Sequence, residues 1–132
     1  MIFLDTHAAI FLTASSHKIS RKVWKTLEQE ELVLSPMVRL EFEFLHESGS
    51  IREEPMALFE NLARHHSVTI ETEGWARAAE IAQVLNWTRD PFDRLIVAHA
   101  MVWSAPLLTR DALMHQHYTQ AFWDDPPLTS AS

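Results

Sequence analysis

Short apolar runs alternate along this chain with longer amphipathic stretches. Met1-Ile2-Phe3-Leu4 closes on Asp5 and predicts a buried strand over residues 1–5. Leu32-Val33-Leu34, Val68-Thr69-Ile70 and Leu107-Leu108-Thr109 predict three more, and residues 120–124 a short fifth. The stretches between them carry helix signals. Thr6 is placed to cap a short helix over 7–12, and Ser20 a helix over about 20–30 in which Val23 and Leu27 recur four apart. Ser35-Pro36 opens a helix that Gly49 stops, and Glu54-Pro55 opens one ending near His66. Trp75, Ala78, Ala79, Ala82 and Leu85 mark one side of a helix over 73–86. Asp90-Pro91 starts the helix bearing Leu95, Ile96, Ala98, Ala100 and Met101. Short apolar strands alternating with helices predict an α/β fold, a parallel sheet of four or five strands covered on both faces.

At 132 residues the chain has the length of one domain, expected over residues 1–127 with 128–132 as a frayed tail. There are no cysteines, which excludes disulfides and thiolate-held zinc or iron–sulfur centres and fits a reducing cytoplasm. The first residues lack the basic start of a secretory signal, and no apolar run approaches the roughly 18 residues of a membrane span. The formal net charge of -7 argues against a broad electrostatic grip on nucleic acid. It does not argue against chemistry on nucleic acid at an acidic, cation-loaded site.

Five acids stand where this fold brings groups together. Asp5 ends the first strand and Asp111 follows the fourth, and in open parallel sheets functional groups gather at strand C-termini. Glu41 lies in an apolar helical stretch with Phe44 and Leu45 on its side, which favours it over Glu43 for an inward face. Asp90 and Asp93 fall at the N-cap and third position of one helix, where capping and the helix dipole account for carboxylates. For Asp90 the cap suffices. Asp93 lies one turn below Ile96 and Val97 and is expected to face the sheet. Converging carboxylates repel one another unless a cation joins them, and oxygen-only donors favour Mg²⁺ or Mn²⁺.

The remaining chemistry is sparser. Arg89, Arg94 and Arg110 adjoin the acids as candidate phosphate contacts, although salt bridging is the commoner use. Lys18, Arg21 and Lys22 form the one basic stretch, a candidate steering surface whose default reading is a solvated helix face. His7, two residues from Asp5, is placed to support the acids. The other histidines show no metal spacing, and glycine-rich phosphate loops and serine-nucleophile elbows are absent. Trp24, Trp75, Trp87, Trp103 and Trp123 are many for one small core and predict a partner surface.

Four blocks together resemble a PIN-domain ribonuclease, specifically a VapC-type toxin: Ile2-Phe3-Leu4-Asp5-Thr6-His7-Ala8, Ser35 to Glu41, Arg89 to Ala100, and Leu108-Thr109-Arg110-Asp111. The resemblance covers almost the whole chain; one departure is His99, where relatives often carry glutamine. It implies a three-layer α/β/α sandwich, with Asp5, Glu41, Asp93 and Asp111 as catalytic metal-binding acids and Asp90 in the same motif with a less certain role. It further implies metal-dependent hydrolysis of RNA phosphodiesters, a homodimer, and a VapB-like antitoxin that holds the toxin in check. Other classes remain open on the residues alone. A phosphatase of the haloacid-dehalogenase type wants an aspartate two after the first, where this chain has His7. A phosphotransfer receiver wants a lysine on a late strand, and the late strand here lacks one. A silent binding module of the same fold would have no need of the intact acids.

Overall fold

Ile2, Phe3 and Leu4 are buried, as a strand flanked on both sides and covered above and below requires. In the computed structural model, which describes residues 1–127, they form β1 (Ile2–Leu4), the middle strand of a five-stranded sheet. The tail expected over 128–132 lies outside the described residues. The other strands are β2 (Leu32–Leu34), β3 (Thr69–Ile70), β4 (Leu107–Leu108) and β5 (Ala121–Phe122). Their order is β3-β2-β1-β4-β5 and every pairing is parallel, with Phe3 opposite both Val33 and Leu107. The fifth strand expected near 120–124 is therefore an edge strand.

Helices α1 (Thr6–Ala14), α2 (Arg21–Glu28), α3 (Pro36–Glu47), α4 (Pro55–His66), α5 (Trp75–Ala82), α6 (Pro91–Val102) and α7 (Ala112–His117) make up the outer layers, completing a three-layer α/β/α sandwich. Val23, Val38, Phe42, Leu58, Leu62, Ile96, Val97 and Met114 carry their apolar faces onto the sheet. Among the described residues, no helix is long and apolar enough to cross a membrane.

Three local details depart from the sequence-based expectation. Asp5, not Thr6, caps α1: its side chain accepts the Ala8 N–H at 2.8 Å. The helix expected over 73–86 is shorter, because residues 83–85 switch to bonds three residues back, a tightening characteristic of a helix end. Its start is set by Gly74, in the left-handed region at φ 81°. Most of the tryptophans are packed rather than displayed. Trp24, Trp87 and Trp123 lean on the main core and Trp75 on a second cluster formed by α5 and α6; only Trp103 is well exposed, at 41%.

The α5–α6 junction is closed by one carbonyl. Glu73 O accepts from Trp103 Nε1 at 3.0 Å and lies 2.9 Å from Nε2 of the buried His99. A carbonyl only accepts, so the His99 proton sits on Nε2 and Nδ1 is left without a partner. Burial holds the His99 pKa below its ordinary value and favours this neutral form. Gly74 is wedged beside the same junction. A Cβ there would stand 2.7 Å from Val102 Cγ1, whereas one on Gly49, also left-handed at φ 79°, meets open space. Gly74→Ala should therefore cost roughly 2–4 kcal/mol, combining left-handed strain with overpacking. Gly49→Ala should cost only the strain, about 1–2 kcal/mol. Denaturant melts of the two variants check the difference; equal losses would remove the steric part of the argument.

Candidate active site

The sheet order reverses between β1 and β4. From β1 the chain moves outward through β2 to β3, and from β4 it moves the other way to β5. At such a reversal the connections diverge and leave a crevice outside the strand C-termini. Asp5 stands at its floor, 6% exposed, with its N–H donating to Leu108 O at 3.1 Å. Around it a cleft of about 500 Å³ is lined by Thr6, His7, Phe11, Glu41, Asp90, Asp93, Ile96, Arg110 and Asp111. All five acids singled out in the sequence thus border one concavity.

Three of them also begin helices. Asp5 Oδ1 caps α1; Asp90 Oδ1 caps α6 by accepting from Phe92 N at 2.8 Å and Asp93 N at 3.3 Å; Asp111 Oδ1 caps α7 by accepting from Met114 N at 2.9 Å. Three helix N-termini therefore point at the cleft, and their partial positive charge offsets some of the acid density. Asp90 thus caps α6 and also borders the cleft.

Two threonines hold the acids in place. Thr109 Oγ1 donates to Asp5 Oδ2 and accepts the Asp111 N–H at 3.0 Å, bridging the ends of β1 and β4. Thr6 Oγ1 donates to Glu41, which brings a carboxylate from α3 across to the start of α1. The sequence reading missed both roles. For Thr109 the available signal was position, at a strand end two residues before Asp111; nothing beside Thr6 pointed to Glu41. Glu41 is half-buried while Glu43 is exposed, as the face argument expected.

The electrostatics follow from crowding and burial. Desolvation raises the Asp5 pKa above its ordinary value, opposed chiefly by the Thr109 hydrogen bond. Desolvation likewise raises Glu41, opposed first by Thr6. Asp93 is pushed up to about 7, first by burial and then by the charges of Asp90, Asp111, Glu41 and Asp5, with no hydrogen bond to relieve it. Among the described residues, none of the five acids is salt-bridged to a lysine or arginine.

The candidate cations are dispersed. Only Arg110 lines the cleft. Arg94 Nε donates to Thr88 O at 2.8 Å and so braces the loop before α6. Arg89 and Arg21 are exposed, and Lys22 is paired with Asp125 at 2.5 Å. Lys18 lies 4.8 Å over the Phe11 ring, and His7 is an exposed member of the cleft wall.

A hard divalent cation fits this donor set. The donors are carboxylate oxygens, they destabilise one another when charged, and protein cations leave them uncompensated. Among the described residues, however, no three His, Asp or Glu side chains are disposed as they stand to hold a metal ion. Capping and threonine bonds occupy one oxygen or both of several acids, so ligation requires those side chains to share or turn.

Comparison with known proteins agrees with this geometry. Residues 2–118 match the family model of the PIN domain. VapBC2 from Rickettsia felis, solved bound to a DNA fragment from its promoter, has a chain 17% identical that superposes with a TM-score of 0.65, covering 94% of this chain and 100% of that one. VapBC-1 from nontypeable Haemophilus influenzae gives 22% identity and a TM-score of 0.62 over 95% of this chain and 98% of that one. DNA-bound VapBC from Salmonella typhimurium gives 17% and 0.64 over 94% and 96%. No curated protein matches the sequence. The acids at the sheet reversal, the parallel five-stranded order and the match over nearly the whole chain agree: this chain belongs to the PIN-domain family.

Proposed function

We propose that this protein is a metal-dependent ribonuclease, a single domain over residues 1–127 that acts as the toxin of a toxin–antitoxin pair in the cytoplasm. The observation that carries the reading is the convergence of Asp5, Glu41, Asp93 and Asp111, with Asp90 at the rim, in a cleft where no lysine or arginine neutralises them. These four acids would hold Mg²⁺ or Mn²⁺, with Asp90 as a further donor. Such an ion, once bound, polarises a phosphodiester and lowers the pKa of water at neutral pH. The chain's own residues do the positioning. Thr109 fixes Asp5 against Asp111, and Thr6 fixes Glu41. Arg110, at the cleft edge, is placed to meet an RNA phosphate.

The partner reading rests on two supports. Solved structures of similar fold are VapBC assemblies, and one is described as a toxin–antitoxin complex from Klebsiella pneumoniae. The surface also displays Leu40, Phe44, Met56, Val84, Met101, Trp103 and Leu113, large apolar side chains available to a partner. A VapB-like antitoxin and a second copy of the chain would cover them.

The deciding experiment is purified protein with total RNA, in Mg²⁺ or EDTA. Asp5→Asn, Asp93→Asn and Asp111→Asn should each reduce cleavage by more than the roughly 10–100-fold that loss of a group supporting a metal ligand costs. Asparagine caps about as well as aspartate, so the folds should survive. Asp90→Asn should lose far less than Asp93→Asn if capping is its main task. Full activity in Asp93→Asn would end the assignment.

Stability should report the same site without catalysis. A folded carboxylate pKa raised from 3.8 to about 7 means that the protonated form favours the fold. That contribution is complete below the unfolded value and disappears as pH rises through about 7. In EDTA, Asp93→Asn should therefore melt above the parent at pH 8, with the gap closing towards pH 5. Millimolar Mn²⁺ should raise the parent's Tm at pH 8 by mass action, about 2–3 kcal/mol at a hundredfold excess over Kd, and raise Asp93→Asn less. A gap independent of pH and metal would show that Asp93 is not under repulsion.

Expression of the chain alone should arrest growth, and co-expression with its antitoxin should restore it. Harmless expression of a protein proven to cleave RNA in vitro would remove the toxin role while leaving the nuclease.

A further inference from the structure

Beside the acidic cleft lies a cluster of rings and cations that metal chemistry does not use. Phe11 is one turn beyond His7 on α1, so both line the cleft wall. Phe11 is half-buried and stands outside the main core cluster. Its ring meets Trp123 edge-on, with centroids 5.8 Å apart and planes at 65°. The Arg110 guanidinium lies over both, 5.4 Å from the Phe11 centroid and 5.6 Å from that of Trp123. Lys18 Nζ lies 4.8 Å from the Phe11 ring centroid.

The position of Arg110 is unexpected on charge alone. It is adjacent to Asp111 in sequence and shares a cleft with five carboxylates, yet among the described residues it forms no salt bridge. It is held on aromatic faces instead, an attraction worth about 0.5–1 kcal/mol at exposed sites. The cation is thereby kept at the cleft edge rather than spent on neutralising the acids. Trp123 itself lines a second concavity of about 640 Å³ along β5.

We infer that Phe11, Trp123 and Arg110 form a stacking subsite for one unpaired nucleobase next to the phosphodiester that the acids address. The inference rests on the ribonuclease reading of the cleft. A nucleobase presents a flat π-face of the kind that aromatic and guanidinium planes accept, and it carries no charge for the acids to repel. With a chain of net charge -7, binding that relies on stacking is less opposed than binding that relies on many phosphates. A base held there is unpaired and turned out from its neighbours. Arg110 serves twice, closing on the base plane and presenting its edge to the adjoining phosphate; Lys18 adds charge beyond Phe11.

The test uses an end-labelled single-stranded RNA decamer and a series in which one nucleotide at a time is abasic. Fluorescence anisotropy in EDTA at low ionic strength reads binding apart from cleavage. In the parent, loss of one particular base should weaken binding by about tenfold, within the range reported for single base–aromatic stacks. Trp123→Leu and Phe11→Leu should weaken binding of the intact decamer to a similar extent and abolish sensitivity to that abasic position, while Trp123→Phe restores it. Arg110→Gln, at an exposed residue, should halve that sensitivity or more. Uniform abasic sensitivity in the parent, undiminished sensitivity in the variants, or preference for a duplex of the same sequence would each overturn the subsite. A parent that cleaves no RNA but shows this binding pattern would sink the nuclease reading and leave the subsite standing.

Discussion

Repulsion among carboxylates is the constraint around which this molecule is arranged. Asp5, Glu41, the Asp90–Asp93 pair and Asp111 arrive from four separate segments of the chain, and the sheet reversal brings them to one crevice. Nothing in the apolar core requires that meeting. It is tolerated because three helix N-termini face the crevice, because threonine hydroxyls share the charge of Asp5 and Glu41, and because Asp93 can hold a proton near neutrality. Each of these is partial relief. A bound cation would relieve all the acids together.

The fold was largely legible because the chain punctuates itself clearly. Pro36, Pro55 and Pro91 each occupy the first position of a helix, and β1, β2 and β4 are apolar runs that end in polar residues. The errors fell where local chemistry offered two solutions. Thr6 and Asp5 are both good caps, and their tasks divide only when Glu41 arrives from α3 and takes the threonine hydroxyl. The periodicity of residues 73–86 continues past Ala82 although the α-helix does not, since residues 83–85 tighten into bonds three residues back before the loop that leads to α6. The tryptophans misled because composition counts them without saying which side chain each will meet: Trp24 meets His66, Trp87 stacks on His117 and Trp75 packs on His99.

The site was legible in its acids and obscure in its supports. A carboxylate in an apolar setting announces itself, because burying it is costly. A threonine there does not, since one hydroxyl is cheaply satisfied by any nearby acceptor. Thr109 could have been weighed for its place between a strand end and Asp111; nothing local to Thr6 indicated a bond to a residue 35 positions away. The grouping of Phe11 with Trp123 was equally hidden, because it depends on β5 joining the edge of the sheet beside β4.

The double duty of the aspartates has an evolutionary corollary. Asp5, Asp90 and Asp111 are each written into a helix start, so replacement by a residue that cannot cap loses about 1 kcal/mol of stability along with the charge. Glu41 and Asp93 cap no helix, and the helices that bear them begin at Ser35 and Asp90. A lineage of this domain drifting toward inactivity would find its easiest exits at 41 and 93, where charge can be lost with the architecture intact. At 5, 90 and 111 the same drift would be channelled into asparagine or serine. In descendants that have lost the acids at 41 and 93, the capping residues would thus outlast the cleft's charge, preserved at three positions for reasons of folding alone.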